Sequence, residues 1–162
     1  MKRFFLFLIA AGMLASGLYT ADAFSNEPKS FGDMHWGDSE KKVSERYASQ
    51  FLEDTVSGGK LYAVRFSDFK EILGIKGPLV VMAAFNSKGK LVQINVPMTT
   101  DTEEAADRAF QTYTDHVKSL CGAPAKEDET TAFWEGKETS VFVQKRPEGI
   151  LVSFIDSQSI KR

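Results

Sequence analysis

Leu79-Val80-Val81-Met82-Ala83-Ala84-Phe85-Asn86-Ser87-Lys88-Gly89-Lys90-Leu91-Val92-Gln93-Ile94-Asn95-Val96 is the stretch from which the fold is read. Its first seven residues form a nearly continuous apolar run of strand length, and Val92, Ile94 and Val96 alternate with other residues. The short polar connection between them holds a single glycine. That pattern reads as a β-hairpin in which Gly89 supplies a positive φ. Pro97 ends the pairing, because proline has no N–H to donate to a neighbouring strand.

Beyond the hairpin, Thr100-Asp101-Thr102-Glu103 fits a capping box, in which a Thr hydroxyl and a Glu carboxylate each satisfy a free backbone N–H. Ala106, Ala109, Phe110, Tyr113, Val117 and Leu120 trace an apolar stripe along the helix that follows, and Gly122 with Pro124 stops it. Strands are predicted again at 131–134, 139–145 and 149–155, with Gly136 in the first connection and Arg146-Pro147-Glu148-Gly149 in the second. On the N-terminal side, Tyr62, Val64 and Phe66 alternate like a half-buried strand, and Phe69, Ile72 and Leu73 fit either a turn of helix or a short edge strand, the strand being favoured. Val43, Tyr47 and Phe51 recur at steps of four. They predict a helix running to about Gln50, capped by Asp38 or Ser39. The expected class is α+β: two helices packed on one face of an antiparallel sheet of about six to seven strands, ordered helix, three to four strands, helix, three strands. The two halves share a plan without a residue-level repeat.

The first 23 residues carry a different message. Lys2 and Arg3 lead into fifteen mostly apolar residues from Phe4 to Leu18, and the segment closes on Ala21-Asp22-Ala23. This is the layout of a secretory signal peptide, with Phe24 as the first residue after cleavage. The apolar run is short of the ~20 residues a spanning helix needs, so no stable membrane insertion is expected after cleavage. A periplasmic or secreted location follows. Residues 24–30 read as a flexible leader, 31–156 as one domain, and 157–162 as a frayed tail. The single cysteine, Cys121, cannot close an intramolecular disulfide and is not placed for lipid attachment. Cleavage leaves 18 basic and 21 acidic residues. A near-balanced surface with scattered cations argues against nucleic acid as partner.

Phe31-Gly32, Trp36-Gly37-Asp38-Ser39 with Val43, the 86–91 hairpin and the helix end Leu120-Cys121-Gly122-Ala123-Pro124 resemble a broad group of small exported bacterial proteins. Their plan is an aromatic-glycine lead, Trp-Gly-x-Ser, a helix, strands, a second helix closing on Tyr-Gly-x-Pro, and a strand bearing Trp. Trp134 matches that last residue, and Cys121 stands where Tyr is usual. The architecture of the group is similar to the beta-lactamase-inhibitor-protein-like and BamE-like superfamily of binding and scaffolding modules. The resemblance spans roughly residues 31 to 155 and implies a module without catalysis. Its motifs are caps and turns, which specify fold better than function.

Asp33, His35 and Asp38 offer two carboxylates and an imidazole, but their spacing matches no established metal-ligand motif. His116 and Cys121, five residues apart on one helix, diverge by more than a quarter turn, so the thiol lacks a base. The run Glu127-Asp128-Glu129, with Glu135 and Glu138, reads as solvated loops and edges. Gly58-Gly59 and Gly74-Ile75-Lys76-Gly77 lack the phosphate-loop pattern. No catalytic residue, metal site or cofactor is therefore expected. Trp36 reads as a plug ahead of the first helix. The 13 phenylalanines exceed what one small core requires, so part of the aromatic set is expected to line a groove. Tyr62, Phe66, Phe69 and Trp134 are the candidates for its wall on the open sheet face. The expected function is an exported, non-enzymatic binding or scaffolding module of the bacterial envelope that recognises a protein or an envelope component. A carrier of a small apolar ligand or lipid is the alternative, and a hydrolase the third reading.

Overall fold

A computed structural model describes residues 25–160; residues 1–23, expected to be a signal peptide, lie outside them, as do Phe24 and the last two residues of the tail. Helix α1 spans Glu40–Arg46 and is followed by strands β1 (Ala48–Asp54), β2 (Lys60–Phe66), β3 (Leu79–Phe85) and β4 (Leu91–Thr99). Helix α2 (Glu103–Cys121) is followed by β5 (Lys126–Glu127), β6 (Thr131–Trp134), β7 (Thr139–Arg146), β8 (Gly149–Asp156) and the short α3 (Ser157–Ile160). All eight strands join one antiparallel sheet in the order β1-β2-β3-β4-β8-β7-β6-β5. The order reads the same from both edges inward, and the two four-strand sets meet where β4 pairs β8.

This corrects the expected class. Among the described residues the sheet has eight strands, not six or seven, and there are three helices, which make up only 22% of the fold. The expected pair of helices on one face is absent. Helix α2 alone lies along the sheet, against β7 and β8, whereas α1 is seven residues long and buries only Val43. The helix predicted to reach Gln50 stops because 48–54 pairs with β2 instead. Tyr47, the C-cap of α1, is already extended, at φ −129° and ψ 142°. The strand predicted around Phe69, Ile72 and Leu73 is also missing. Ile72 and Ile75 bridge across a tight turn in which Leu73 and Gly74 both have positive φ, leaving 67–78 outside the sheet.

The hairpin turn behaves as its sequence predicts, but Pro97 does not end the pairing: β4 runs on to Thr99 against β8. Asn86 N–H donates to Lys90 O at 2.9 Å, the Asn86 carboxamide oxygen accepts from the N–H groups of Lys88 and Lys90, and Gly89 has φ +67°. In α2 the N-cap is Thr102, whose hydroxyl accepts from Ala105 N–H at 3.1 Å. The cap thus lies two residues after the expected Thr100, and Thr100 instead donates to Thr102 O. Ala106, Phe110, Tyr113, Val117 and Cys121 are buried, while Leu120 is 37% exposed. Gly122 ends the helix at φ +88°.

The Trp-Gly-Asp-Ser stretch ties α1 to the hairpin. Gly37 N–H donates to Leu91 O, Leu91 N–H donates to Asp38 O, and the Ser39 hydroxyl caps α1 by accepting from Lys42 N–H. The leader is fastened, not loose. Glu27 accepts from the N–H groups of Glu138 and Thr139, and the Asn26 side chain donates to Leu120 O. In the tail, Ser157 is buried against Ser140, with 2.9 Å between their hydroxyls.

Candidate functional site

Pairing register sorts the strand residues onto two faces, because successive side chains alternate. One face holds the main core. Val64, Val81, Ile94, Val96, Val152, Phe154, Val141 and Trp134 lie on it, packed with α2 and with Phe31, Met34, Leu73 and Ile75 from the connecting segments. Tyr62, Phe66 and Trp134 belong to this covered face, which overturns their expected place on the open one. Phe66 and Trp134 are each 1% exposed. The Trp134 indole N–H donates to Gly122 O at 2.9 Å, and the Tyr62 hydroxyl donates to Glu40 at 2.8 Å. That hydrogen bond, then burial, raises the Tyr62 pKa above the usual tyrosine value. Phe69 stands outside the sheet, half-buried, with its ring 4.8 Å from that of Phe31. Of the four, only Phe66 and Phe69 come together. With Tyr47 they wall a cleft of about 770 Å³ between the leader and the 68–74 segment.

The opposite face carries what sequence reasoning missed. Register runs one line of side chains across it, one from each strand: Gln50, Ala63, Met82, Asn95, Ser153, Phe142, Phe133 and Lys126. At its centre Asn95 is 2% exposed, and its carboxamide oxygen accepts from Ser153 Oγ and Gln93 Nε2, both at 2.7 Å. Phe133 and Phe142 sit side by side with ring centroids 6.5 Å apart. Leu151, Gln144 and Ile155 flank the line, and Arg146 donates to the Gln144 side chain. At one end of this side Ser157 of α3 packs against Ser140. The signal was the alternation itself. Once Ile94, Val96, Val152 and Phe154 are assigned inward, Gln93, Asn95 and Ser153 must point the other way.

The groups considered for chemistry are occupied structurally. Burial alone would raise the Asp38 carboxyl, but the His35 N–H and the Lys42 ammonium hold it below the usual aspartate value. Among the described residues, no three His, Cys, Asp or Glu stand together in a way that could hold a metal ion. Burial pushes the Cys121 thiol up to about 11, and the His116 ring fills the space a side chain at Gly74 would need. Trp36 is half-buried, its indole N–H donating to the Thr139 hydroxyl at 2.7 Å. The acidic run is locally satisfied. Glu127 pairs with Lys118, and Asp128 accepts from the hydroxyls and N–H groups of Thr130 and Thr131, which holds its pKa down at about 2. No helix among the described residues is long and apolar enough to cross a membrane.

Comparison of the chain with protein-family models, curated proteins and solved structures returns no match.

Proposed function

We propose that this chain is an exported, non-enzymatic binding module that recognises a protein of the cell envelope with the uncovered face of its sheet. The line of eight side chains across that face carries the reading. It joins an aromatic pair, a methionine and a fixed amide–hydroxyl centre on a rigid sheet. Aromatic and methionine side chains supply contact area, and fixed polar groups set orientation. The signal-peptide layout of residues 1–23 and the resemblance to exported binding modules support the same reading. In the test, a photo-crosslinking amino acid is placed at Gln144 on the face and, separately, at Glu104 on the outer side of α2, in intact cells. A discrete adduct from position 144 and none from 104 is the expected result; adducts from 104 alone would overturn it.

The cleft beside Phe66 and Phe69 favours a second reading, carriage of a small apolar ligand. Native mass spectrometry of the purified protein checks it, and a spectrum free of added mass would count against carriage.

A further inference from the structure

We infer that the partner of the uncovered face is an acidic protein surface, an inference that rests on the binding-module reading above. Among the strand residues on that face, the charged ones are Arg65, Lys126 and Arg146, with Glu53 at the β1 edge as the one carboxylate. This sign is opposite to that of the whole chain, whose net charge is −2. The carboxylates of α2 and its approaches, Glu103, Glu104, Asp107 and Asp115, belong to the helix that packs on the other side.

Placement adds a geometric requirement. Arg65 lies on β2 and Arg146 on β7, four steps apart in the sheet order. At ~4.8 Å per strand they stand about 19 Å apart across the sheet. Arg65 is exposed and sits opposite Val80, which is 48% exposed; Arg146 is half-buried and steadied by Gln144. The register line from Arg65 toward Arg146 passes Val80, Pro97, Leu151 and Gln144, while Met82, Asn95 and Phe142 form the neighbouring line on one side. A complementary surface therefore presents carboxylates about 20 Å apart with mainly apolar groups between them, a span of six or seven extended residues. Guanidinium groups suit carboxylates, which they bind through two parallel hydrogen bonds. A nucleic acid or a polyanionic glycan would call for clustered cations along its backbone, and these are too far apart to form a cluster.

The probe is a fluorescein-labelled eight-residue peptide with glutamate at both ends and leucine, phenylalanine and serine between, its termini blocked. The comparison peptide has lysine in place of each glutamate. Anisotropy should show the glutamate peptide binding at least tenfold more tightly at low salt, the gap narrowing in 0.5 M salt as screening predicts, roughly as the Debye length shrinks to a few ångströms. Arg65→Glu together with Arg146→Glu should reverse the preference without moving the thermal midpoint by more than a few degrees. Equal affinity for both peptides, tighter lysine-peptide binding, no binding of either, or equally effective competition by heparin would each overturn the acidic-partner inference. Phe142→Ala separates the two levels of argument. If it weakens binding but the wild type holds both peptides equally well, the face binds without selecting acids; if it changes neither affinity and position 144 gives no adduct in cells, the binding-module reading falls as well.

Discussion

Trp134 and Phe142 are large aromatics on neighbouring strands, and the structure assigns them opposite fates. Trp134 is 1% exposed on the covered face, and Phe142 is half-buried on the uncovered one. Truncating Trp134 to Ala removes about 200 Å² of buried surface, worth ~5 kcal/mol at ~25 cal/mol per Å². It also strands the Gly122 carbonyl, whose lost hydrogen bond adds about 1 kcal/mol. Partial collapse around the cavity returns some of this, so ~4 kcal/mol is expected, within the usual range for such truncations. A fold of this size has an unfolding entropy near 0.3 kcal/mol per degree, so the midpoint falls by about 14 °C. Phe142→Ala loses only partly buried area and its pairing with Phe133, about 1 kcal/mol or ~3 °C. Far-UV circular dichroism with heat and urea is the assay, because Trp134→Ala also removes a fluorophore. Equal losses for the two variants, or a larger loss for Phe142→Ala, would refute the division into covered and uncovered faces.

Cys121 is 3% exposed with its thiol raised to about 11, so a thiol reagent at pH 8 should modify the folded protein at least a hundredfold more slowly than the urea-unfolded chain. Rapid labelling of the folded protein would contradict its buried place at the end of α2. Asp128 has a folded pKa of about 2, below its unfolded value, so its stabilisation is present in full above the ordinary aspartate range and is lost as pH falls toward 2. Urea midpoints of the wild type and Asp128→Ala should differ at pH 6 and converge near pH 2; a gap that persists at pH 2 would assign the effect to something other than the carboxylate.

The parts of the fold legible in the sequence are those where local chemistry and tertiary pairing agree. The Asn86–Lys90 turn needs a positive φ and has Gly89 for it, and the stripe from Ala106 to Val117 suits only a helix. Strand β1 was hidden because both periods fit. Val43, Tyr47 and Phe51 make steps of four, but Tyr47, Ser49 and Phe51 also make steps of two. Ala48-Ser49-Gln50 has little strand preference of its own, and pairing with β2 decides the matter. The aromatic groove was misplaced for a related reason. Large aromatics suggest a binding wall, yet in β2 and β6 the residues facing the core are the largest ones, Phe66 and Trp134. What remained for the other face is smaller and mixed. That reads as a solvated surface until the register sets all eight strands side by side.

Composition separates the uncovered face from a merely wet one. A sheet face that only meets water is expected to be polar at alternate positions, as Gln93, Asn95 and Ser153 are. Single exposed apolar residues would add nothing to that picture, but contiguous ones do. Phe133 and Phe142 adjoin across β6 and β7, half-buried Ile155 lies near them on β8, and Met82 stands beyond the polar centre on β3. The polar residues therefore lie between apolar groups instead of replacing them. Buried Asn95, held by two hydrogen bonds, contributes little to stability that a well-packed apolar residue would not. Its place between Met82 and Phe142 suits recognition, where apolar groups on either side supply area and a fixed amide selects what can sit between them.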